Sequence, residues 1–174
     1  MRYLILASAL FVATAPVAAQ TQSTPPHHHA DATPRAAMPF VAMAGASDLY
    51  EIESSRLALQ EARGKDVRDF AQMMIDHHQM TTQKVTAAAR SAGLNPSPPA
   101  LMPMQAQMLD QLRSAAAGDF DRTYLGQQRT AHEKALALHK NYAANGDTAA
   151  LRSVANEAVP IVSRHLDRVR MLAR

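Results

Sequence analysis

The sequence contains no cysteine and no tryptophan, and it has only four Phe and four Tyr in 174 residues. Without Cys, disulfide scaffolds, thiolate zinc sites, iron–sulfur clusters and cysteine nucleophiles are excluded. The scarcity of aromatic residues leaves Ala, Leu, Val and Met to build the core, and these residues favour helices over strands. The net charge of +3 is small and its charges are interspersed, which argues against a nucleic-acid partner. His and Met, with eight and ten copies, are the plentiful soft or borderline metal ligands.

Long hydrophobic runs are also missing, apart from one at the start of the chain. Arg2 precedes the apolar residues 4–12, and small residues follow up to Ala18 and Ala19. This layout predicts a cleavable signal peptide over residues 1–19. We therefore expect a protein exported to the periplasm, with association with the outer membrane as the alternative. The run is shorter than the ~20 residues that a membrane-spanning helix needs. We therefore expect no transmembrane segment in the mature chain.

Residues 20–39 combine several prolines with Thr, Ser, Gln and Ala, and they show no apolar periodicity. This composition predicts a disordered linker. The linker contains the tract His27-His28-His29. A flexible His tract can capture a borderline metal ion weakly, but it has no fixed geometry.

From residue 40 onward the apolar pattern is helical, and it is interrupted by Gly, Pro and Asn. It predicts four long helices over about 40–63, 66–92, 119–144 and 147–173, and a short helix over about 103–117. Amphipathic helices of this length must pack together to bury their apolar faces. Two short connections predict antiparallel hairpins, and the long crossover between the second and third long helices contains the short helix.

These features predict an all-α fold, a ferritin-like antiparallel four-helix bundle over residues 40–174. Asp147 or Thr148 is expected to cap the last long helix. Pro160 lies inside that helix, where it removes one backbone hydrogen bond and is expected to bend it.

Each long helix carries a potential metal ligand on or beside its apolar face. Helical projection places His78 and His165 well inside the apolar stripes, whereas Glu51, His77 and His132 lie toward the edges. Metal sites in bundles are built from inward side chains on facing helices. Three imidazoles and one carboxylate from four helices predict a site for copper, zinc or iron. Its predicted ligands are Glu51, His78, His132 and His165, with His77 as an auxiliary.

The same residues have a second interpretation. A buried neutral His can bond to a Tyr hydroxyl, a carboxylate or a backbone carbonyl, and leaving it unpaired costs about 1–3 kcal/mol. The protein would then be a structural or stress-related interaction protein of the cell envelope, with an unknown protein partner and no metal. The axial level of each His decides between the two hypotheses, because five residues along a helix span roughly 7.5 Å.

Catalytic motifs are absent from the sequence. A di-iron oxidase site needs Glu-x-x-His on two helices and a Glu on each of the other two. Ile75 stands three residues before His78, and Val162 stands three residues before His165, so both bridging carboxylates are missing. The sequence also lacks a G-x-S-x-G elbow, a phosphate loop and H-E-x-x-H. We therefore predict no catalytic residue and favour a binding protein over an oxidoreductase, although the pattern does not settle whether the protein is an enzyme.

Methionine is concentrated around the His pair of the second long helix. Met73 and Met74 precede His77 and His78, and Met80 follows them. Thioether and imidazole ligands together favour copper among the transition metals. Met also fills irregular helical cores, so the interpretation of these Met residues as core packing stays open.

These residues, in this order, resemble the DUF4142 family, a domain of unknown function found in exported bacterial proteins that are often described as outer-membrane proteins. The segments that carry the resemblance are Tyr50-Glu51-Ile52-Glu53, residues 70–78, residues 120–125 with His132, and Pro160 with His165-Leu166. The resemblance covers about residues 40–173 and implies a ferritin-like bundle. It marks Glu51, His78, His132 and His165 as the polar motif residues, and it implies no established activity.

Two positions depart from the family pattern. His77 stands where the family usually has Asp, and His139 stands where it usually has an apolar residue. The first departure replaces a carboxylate with an imidazole. The segment around residues 74–79 also resembles, over one helix only, a second exported helical family in which Met and His are linked to copper.

Overall fold

The computed structural model describes residues 34–174. The predicted signal peptide over residues 1–19, the tract His27-His28-His29 and most of the predicted linker lie outside the described residues. The described part contains five helices and no strand, which confirms the all-α fold class. The helices are α1 (Ala37–Glu61), α2 (Lys65–Ser91), α3 (Pro103–Arg113), α4 (Phe120–Asn145) and α5 (Ala149–Leu172).

The four long helices form the expected bundle of two hairpins. α1 packs against α2 and α4 packs against α5, and each pair is joined by a loop of three residues, 62–64 and 146–148. α2 also lies beside α5, and α1 lies beside α4, so the two hairpins face each other. The crossover from α2 to α4 carries α3, which packs on α1 and α4. This is the predicted four-helix bundle with a long crossover.

Two helix boundaries differ from the predicted ones. α1 begins at Ala37 rather than near residue 40, because Pro39 lies in its first turn, where a missing N–H has no intrahelical partner to lose. α3 ends at Arg113 rather than near residue 117. Its last turn is closed by Ser114, whose hydroxyl donates to the carbonyl of Asp110 at 2.8 Å, and such local side-chain bonds compete with continuation of a helix.

Thr148 occupies the N-cap position of α5, one of the two positions predicted, but its side chain makes no capping hydrogen bond. Asp147 instead holds the start of α1. Its Oδ2 accepts a hydrogen bond from the backbone N–H of Ala37 at 3.3 Å, and its Oδ1 accepts one from the Tyr142 hydroxyl at 3.0 Å. The loop between α4 and α5 thereby satisfies an otherwise free N–H at the other hairpin's first helix.

A glycine in the left-handed backbone conformation follows the end of α2. Gly93 has a φ of +77°, and it lies two residues after the last residue of the helix. The N–H of Leu94 donates to the carbonyl of Ala89, and the N–H of Gly93 donates to that of Arg90. This is a Schellman motif, and it explains why the chain leaves the helix at the predicted position.

The bundle core consists of two apolar clusters with a polar layer between them. The first cluster includes Phe70, Met74, Tyr124 and Leu166. The second, toward the other end of the bundle, is built by the start of α1, the end of α2, the end of α4 and the start of α5, and it includes Phe40, Val85, Tyr142 and Leu151. Between the two, each long helix buries polar side chains: Asp48, Glu51, His78, Gln128, His132 and His165.

Projection from the sequence placed His132 toward the edge of the apolar stripe of α4, whereas the structure buries it completely. Ala131 is only half-buried, whereas Gln128 and His132 are fully buried. Glu51 is likewise buried, not at an edge, while His77 is half-buried as expected. Polar residues at the centre of the stripe shift the apparent apolar face, because projection by hydropathy assigns them to the outside. Among residues 34–174, no helix is long and apolar enough to cross a membrane.

Asp121 of α4 clamps the loop between α1 and α2, and its loss should destabilise the bundle. Its two carboxylate oxygens accept hydrogen bonds from the backbone N–H groups of Arg63 and Gly64, at 3.1 and 2.8 Å. We expect Asp121→Ala to lower the free energy of unfolding by about 1–3 kcal/mol, measured by urea denaturation. Asp110→Ala is the control, because this exposed residue pairs only with Arg113 and its loss should stay within about 0.5 kcal/mol. Equal effects of the two variants would contradict the clamp.

Candidate metal centre

Three imidazoles from three helices meet in the polar layer. The ring centroids of His78 and His132 are 5.7 Å apart, those of His78 and His165 are 5.6 Å apart, and those of His132 and His165 are 5.4 Å apart. One potential ligand atom from each lies within 4.8 Å of the other two. The three residues therefore lie at the same axial level of the bundle. We call His78, His132 and His165 the His triad.

One ring nitrogen of each triad member is held by the protein. Nδ1 of His78 donates to Asp48 Oδ1 at 2.8 Å, and Nδ1 of His132 donates to the carbonyl of Gln128 at 2.8 Å. Nε2 of His165 lies 2.7 Å from Nδ1 of His77, and the two rings are stacked. Metal-ligating histidines are held in this way by a carboxylate or carbonyl on the far nitrogen, which fixes the ring orientation.

The other ring nitrogen of each triad member has no hydrogen-bond partner. Among the described residues, Nε2 of His78, Nε2 of His132 and Nδ1 of His165 are buried without one. Because Asp48 and the Gln128 carbonyl only accept hydrogen bonds, the proton of a neutral His78 or His132 lies on Nδ1, and Nε2 carries a lone pair. Three neighbouring imidazoles, each with one buried nitrogen that has no hydrogen-bond partner, are a donor set that suits a metal ion when the rings are neutral.

The spacing of the triad is slightly wide for direct coordination. Three atoms 4.8 Å apart lie about 2.8 Å from their common centre, whereas imidazole–metal bonds are about 2.0–2.1 Å long. At this upper limit each ring must move inward by roughly 0.7 Å, which rotamer adjustment on three helices supplies. The separation is therefore compatible with three metal–nitrogen bonds after a small contraction.

The other two predicted ligands, Glu51 and His77, do not belong to the convergent group. Glu51 is fully buried, and its Oε1 lies 3.6 Å from Nδ1 of His132, the nitrogen that donates to the Gln128 carbonyl. Its Oε2 is buried and has no hydrogen-bond partner. His77 contacts the triad through His165 and reaches the surface. The structure thus brings three of the five predicted residues together and places the other two beside them.

Burial controls the protonation of these groups. It lowers the pKa of His132 to about 3 and that of His165 to about 2, and the nearby charge of His78 lowers both further. Burial also lowers the pKa of His78, but the hydrogen bond to Asp48 and the Asp48 charge outweigh it and raise this pKa overall. Burial raises the pKa of Glu51 to about 7, against the opposing effects of His78 and Gln128. A metal ion at the triad therefore competes with a proton mainly at His78.

Among the groups that orient the triad, the sequence predicts His77 as an auxiliary but does not predict the roles of Asp48 and Gln128. Asp48 is buried, and besides His78 it accepts a hydrogen bond from Thr82 Oγ1 at 2.9 Å. The spacing of 34 residues between Asp48 and Thr82 gives no local signal for this pair. His139 is also buried, with Nδ1 unpartnered, but its ring packs edge-on against Phe40 and it is not part of the convergent group.

Comparison with known protein families identifies the chain. The profile described as "Domain of unknown function (DUF4142)" matches residues 21–172. The chain belongs to the DUF4142 family. In this DUF4142 protein the four polar motif residues of the family resemblance, Glu51, His78, His132 and His165, all lie in the buried polar layer. No sequence among the curated proteins matches the chain.

Three solved structures with a similar fold are described as metal-bound forms of one protein. "CopM in the Cu(II)-bound form" matches this DUF4142 protein with a TM-score of 0.68 and 17% identity, over 79% of this chain and 95% of that chain. "CopM in the Cu(I)-bound form" matches with a TM-score of 0.66 and 18% identity, over 78% and 93% of the two chains. The silver-bound form of CopM gives a TM-score of 0.65 at 18% identity, over the same shares. At this identity the similarity establishes a shared helical-bundle fold.

The metal-free protein should lose stability below about pH 6.5. Unfolded His side chains bind a proton near that pH, but folded His132 and His165 stay neutral until about pH 3 and 2. The unfolded chain then binds more protons, so the free energy of unfolding falls by about 1.4 kcal/mol per pH unit for each site. Between its ordinary pKa of 4.5 and its raised value of about 7, Glu51 has the opposite effect on the free energy of unfolding. This single group offsets only part of the combined effect of His132 and His165.

Urea denaturation of the metal-free protein between about pH 6.5 and about pH 4.5 measures this dependence. His132→Leu removes one of the two sites, so its stability should depend less steeply on pH than that of the wild type. A wild-type stability that is constant or rises on acidification over this range would contradict the neutral, buried state of His132 and His165.

Proposed function

We propose that this DUF4142 protein binds one transition-metal ion, as a non-catalytic metal-binding protein, through His78, His132 and His165. Two observations carry the proposal: one ring nitrogen of each imidazole lies within 4.8 Å of one ring nitrogen of each of the other two, and each ring has one buried nitrogen without a hydrogen-bond partner. Each unpaired buried acceptor costs about 1–3 kcal/mol. A structural hydrogen-bond network would have used these atoms, whereas a metal ion satisfies all three at once.

Copper in its monovalent state is the metal that we propose. Neutral imidazoles suit copper, zinc and iron, and the triad contains no charged ligand. The free energy needed to bury a cation rises steeply with its charge, which favours Cu(I) over a divalent ion. The CopM structures support this choice, since their descriptions name Cu(I), Cu(II) and silver.

Glu51 completes the proposed site as a counter-charge. The sequence predicts it as a fourth ligand, and its carboxylate lies beside His132 on the side of Nδ1. An ionised Glu51 at this position offsets the positive charge of a bound cation across the imidazole ring. We propose this electrostatic role for Glu51, and a positioning role for Asp48 and His77.

Export is part of the same proposal and is supported by the layout of residues 1–19. We propose the periplasm as the location of the mature chain, with attachment to the outer membrane as the alternative. The tract His27-His28-His29 is proposed only as a weak auxiliary metal-binding segment.

Metal stoichiometry after dialysis tests the triad. The mature chain, purified without an affinity tag, is loaded with Cu(I) under reducing, oxygen-free conditions, dialysed and measured by elemental analysis. We expect one equivalent of copper in the wild type and its loss in His132→Leu, because one of three ligands is removed. His139→Leu is the matched control: it replaces another buried His of α4 and should keep the metal.

Two further arms separate the alternatives. Replacing His27, His28 and His29 with Ala should leave the stoichiometry unchanged if the triad is the site. Copper retained at full stoichiometry by a folded His132→Leu protein overturns the triad. Tight binding of Zn(II) without Cu(I) or Ag(I) binding overturns the assignment to copper. A wild type that retains no metal favours the alternative of a metal-free interaction protein whose triad is bridged by water.

Asp48→Asn should weaken metal binding without removing a ligand. The carboxylate of Asp48 holds Nδ1–H of His78 and is itself held by Thr82. Loss of such a partner typically lowers metal affinity about 10–100-fold. A competition titration with a chromophoric Cu(I) chelator measures the change, and thermal unfolding monitors the fold. An unchanged affinity would show that Asp48 has only a structural role.

A further inference from the structure

The triad is closed to solvent, so a metal ion needs a path to it. His78, His132 and His165 expose 4%, 0% and 3% of their surface. Their three outer partners differ in kind. Asp48 is buried, and the Gln128 carbonyl belongs to the helix that carries His132. Only the third partner, His77, is a half-buried side chain with an imidazole of its own.

His77 connects His165 to a cavity at the surface between α2 and α5. The cavity has a volume of about 150 Å³, and it is lined by His77, Met80, Thr81, Lys84, Ile161 and Arg164. Met80 is 52% exposed, so its thioether is available to solvent. His77, in the wall of this surface cavity, is therefore linked to the triad member His165 by a single hydrogen bond.

The cavity combines ligands for a soft monovalent cation with charges that oppose a divalent one. His77 and Met80 are three residues apart on α2, which places them as neighbours on one helix face. An imidazole and a thioether together suit Cu(I) or Ag(I). Lys84 and Arg164 line the same cavity. Lys84 is paired with Glu157 at 3.1 Å, so the positive potential comes mainly from Arg164. This potential disfavours Zn(II) more than it disfavours a singly charged ion.

The contact between His77 and His165 is built from two side chains that can exchange partners. Their rings are stacked, with centroids 5.0 Å apart and an angle of 17° between planes, and the facing nitrogens are 2.7 Å apart. One of these nitrogens accepts the shared hydrogen bond, so it carries a lone pair. Side-chain rotation frees that lone pair for a cation, because neither nitrogen is bonded to the backbone.

We propose that this cavity is the loading site of the His triad: a soft monovalent cation binds first to His77 and Met80, and then passes through His165 to the buried ligands. The inference rests on the proposed function and adds its route and its selectivity. His77 acts here as a transient ligand, in addition to positioning His165.

A second cavity provides the comparison. It has a volume of about 240 Å³ and lies between α1, α2 and residues 96–102, with Met38 and Met102 in its wall. It approaches the triad through Thr82 and Asp48. Both oxygens of Asp48 are occupied, one by Thr82 and one by His78, and no imidazole lies on that path. This cavity offers no chain of soft ligands to the triad.

Loading kinetics test the route. Cu(I) is transferred to the metal-free protein from a chromophoric bicinchoninate complex, and stopped-flow absorbance gives the rate while the end point gives the stoichiometry. We expect Met80→Leu to load several-fold more slowly than the wild type and to reach the same stoichiometry, and we expect His77→Asn to load several-fold more slowly as well. His77→Asn is chosen because its amide still bonds to His165. Met102→Leu, which alters an exposed Met of the second cavity, should load at the wild-type rate.

The outcomes distinguish the route from the site. Wild-type loading rates in both Met80→Leu and His77→Asn, at full stoichiometry, overturn the route and leave the triad in place. Slower loading in Met102→Leu alone assigns the path to the second cavity and also overturns the proposal. A wild type that takes up no Cu(I) overturns the proposed function and the route together. Slow loading in the two cavity variants, with a normal rate in Met102→Leu, supports the route.

Discussion

Three imidazoles that are buried with one unpaired nitrogen each are the constraint on which this structure depends. At about 1–3 kcal/mol for each unpaired atom, their combined cost approaches the net stability of an ordinary domain, about 5–15 kcal/mol. The fold tolerates this because the triad lies between two apolar clusters, one around Phe70 and Tyr124 and the other around Phe40 and Tyr142. Those clusters supply hydrophobic burial on both sides of the polar layer.

The layered core also explains why the helices hold the triad at one level. Each long helix contributes to both clusters and passes through the polar layer between them, so sliding one helix would misplace apolar side chains at both ends. The two short loops add to this register. Asp121 of α4 holds the loop between α1 and α2, and Asp147 after α4 holds the start of α1. The three imidazoles of the triad inherit their axial alignment from contacts made at the bundle ends.

The sequence was sufficient for the helices and for the triad, and insufficient for its surroundings. Gly93 and the Pro-rich crossover mark breaks that local backbone chemistry enforces, so the helix order could be predicted. His78, His132 and His165 could be found because an imidazole on an apolar stripe is conspicuous. Gln128 and Asp48 could not, because their roles depend on a backbone carbonyl and on partners from other helices. Helical projection fixes the face of a residue but not its level along the bundle.

The three imidazoles of the triad are not held equally, and this asymmetry relates the geometry of the triad to its distance from the surface. His78 is fixed by a buried carboxylate and His132 by a backbone carbonyl of its own helix, whereas His165 is fixed by a half-buried side chain. α5 also contains Pro160, five residues before His165, and therefore lacks one backbone hydrogen bond there. An inward movement of the imidazoles, at most roughly 0.7 Å for direct metal–nitrogen bonds, would therefore meet the least resistance at His165. The most loosely held imidazole of the triad is also the one whose partner reaches the surface.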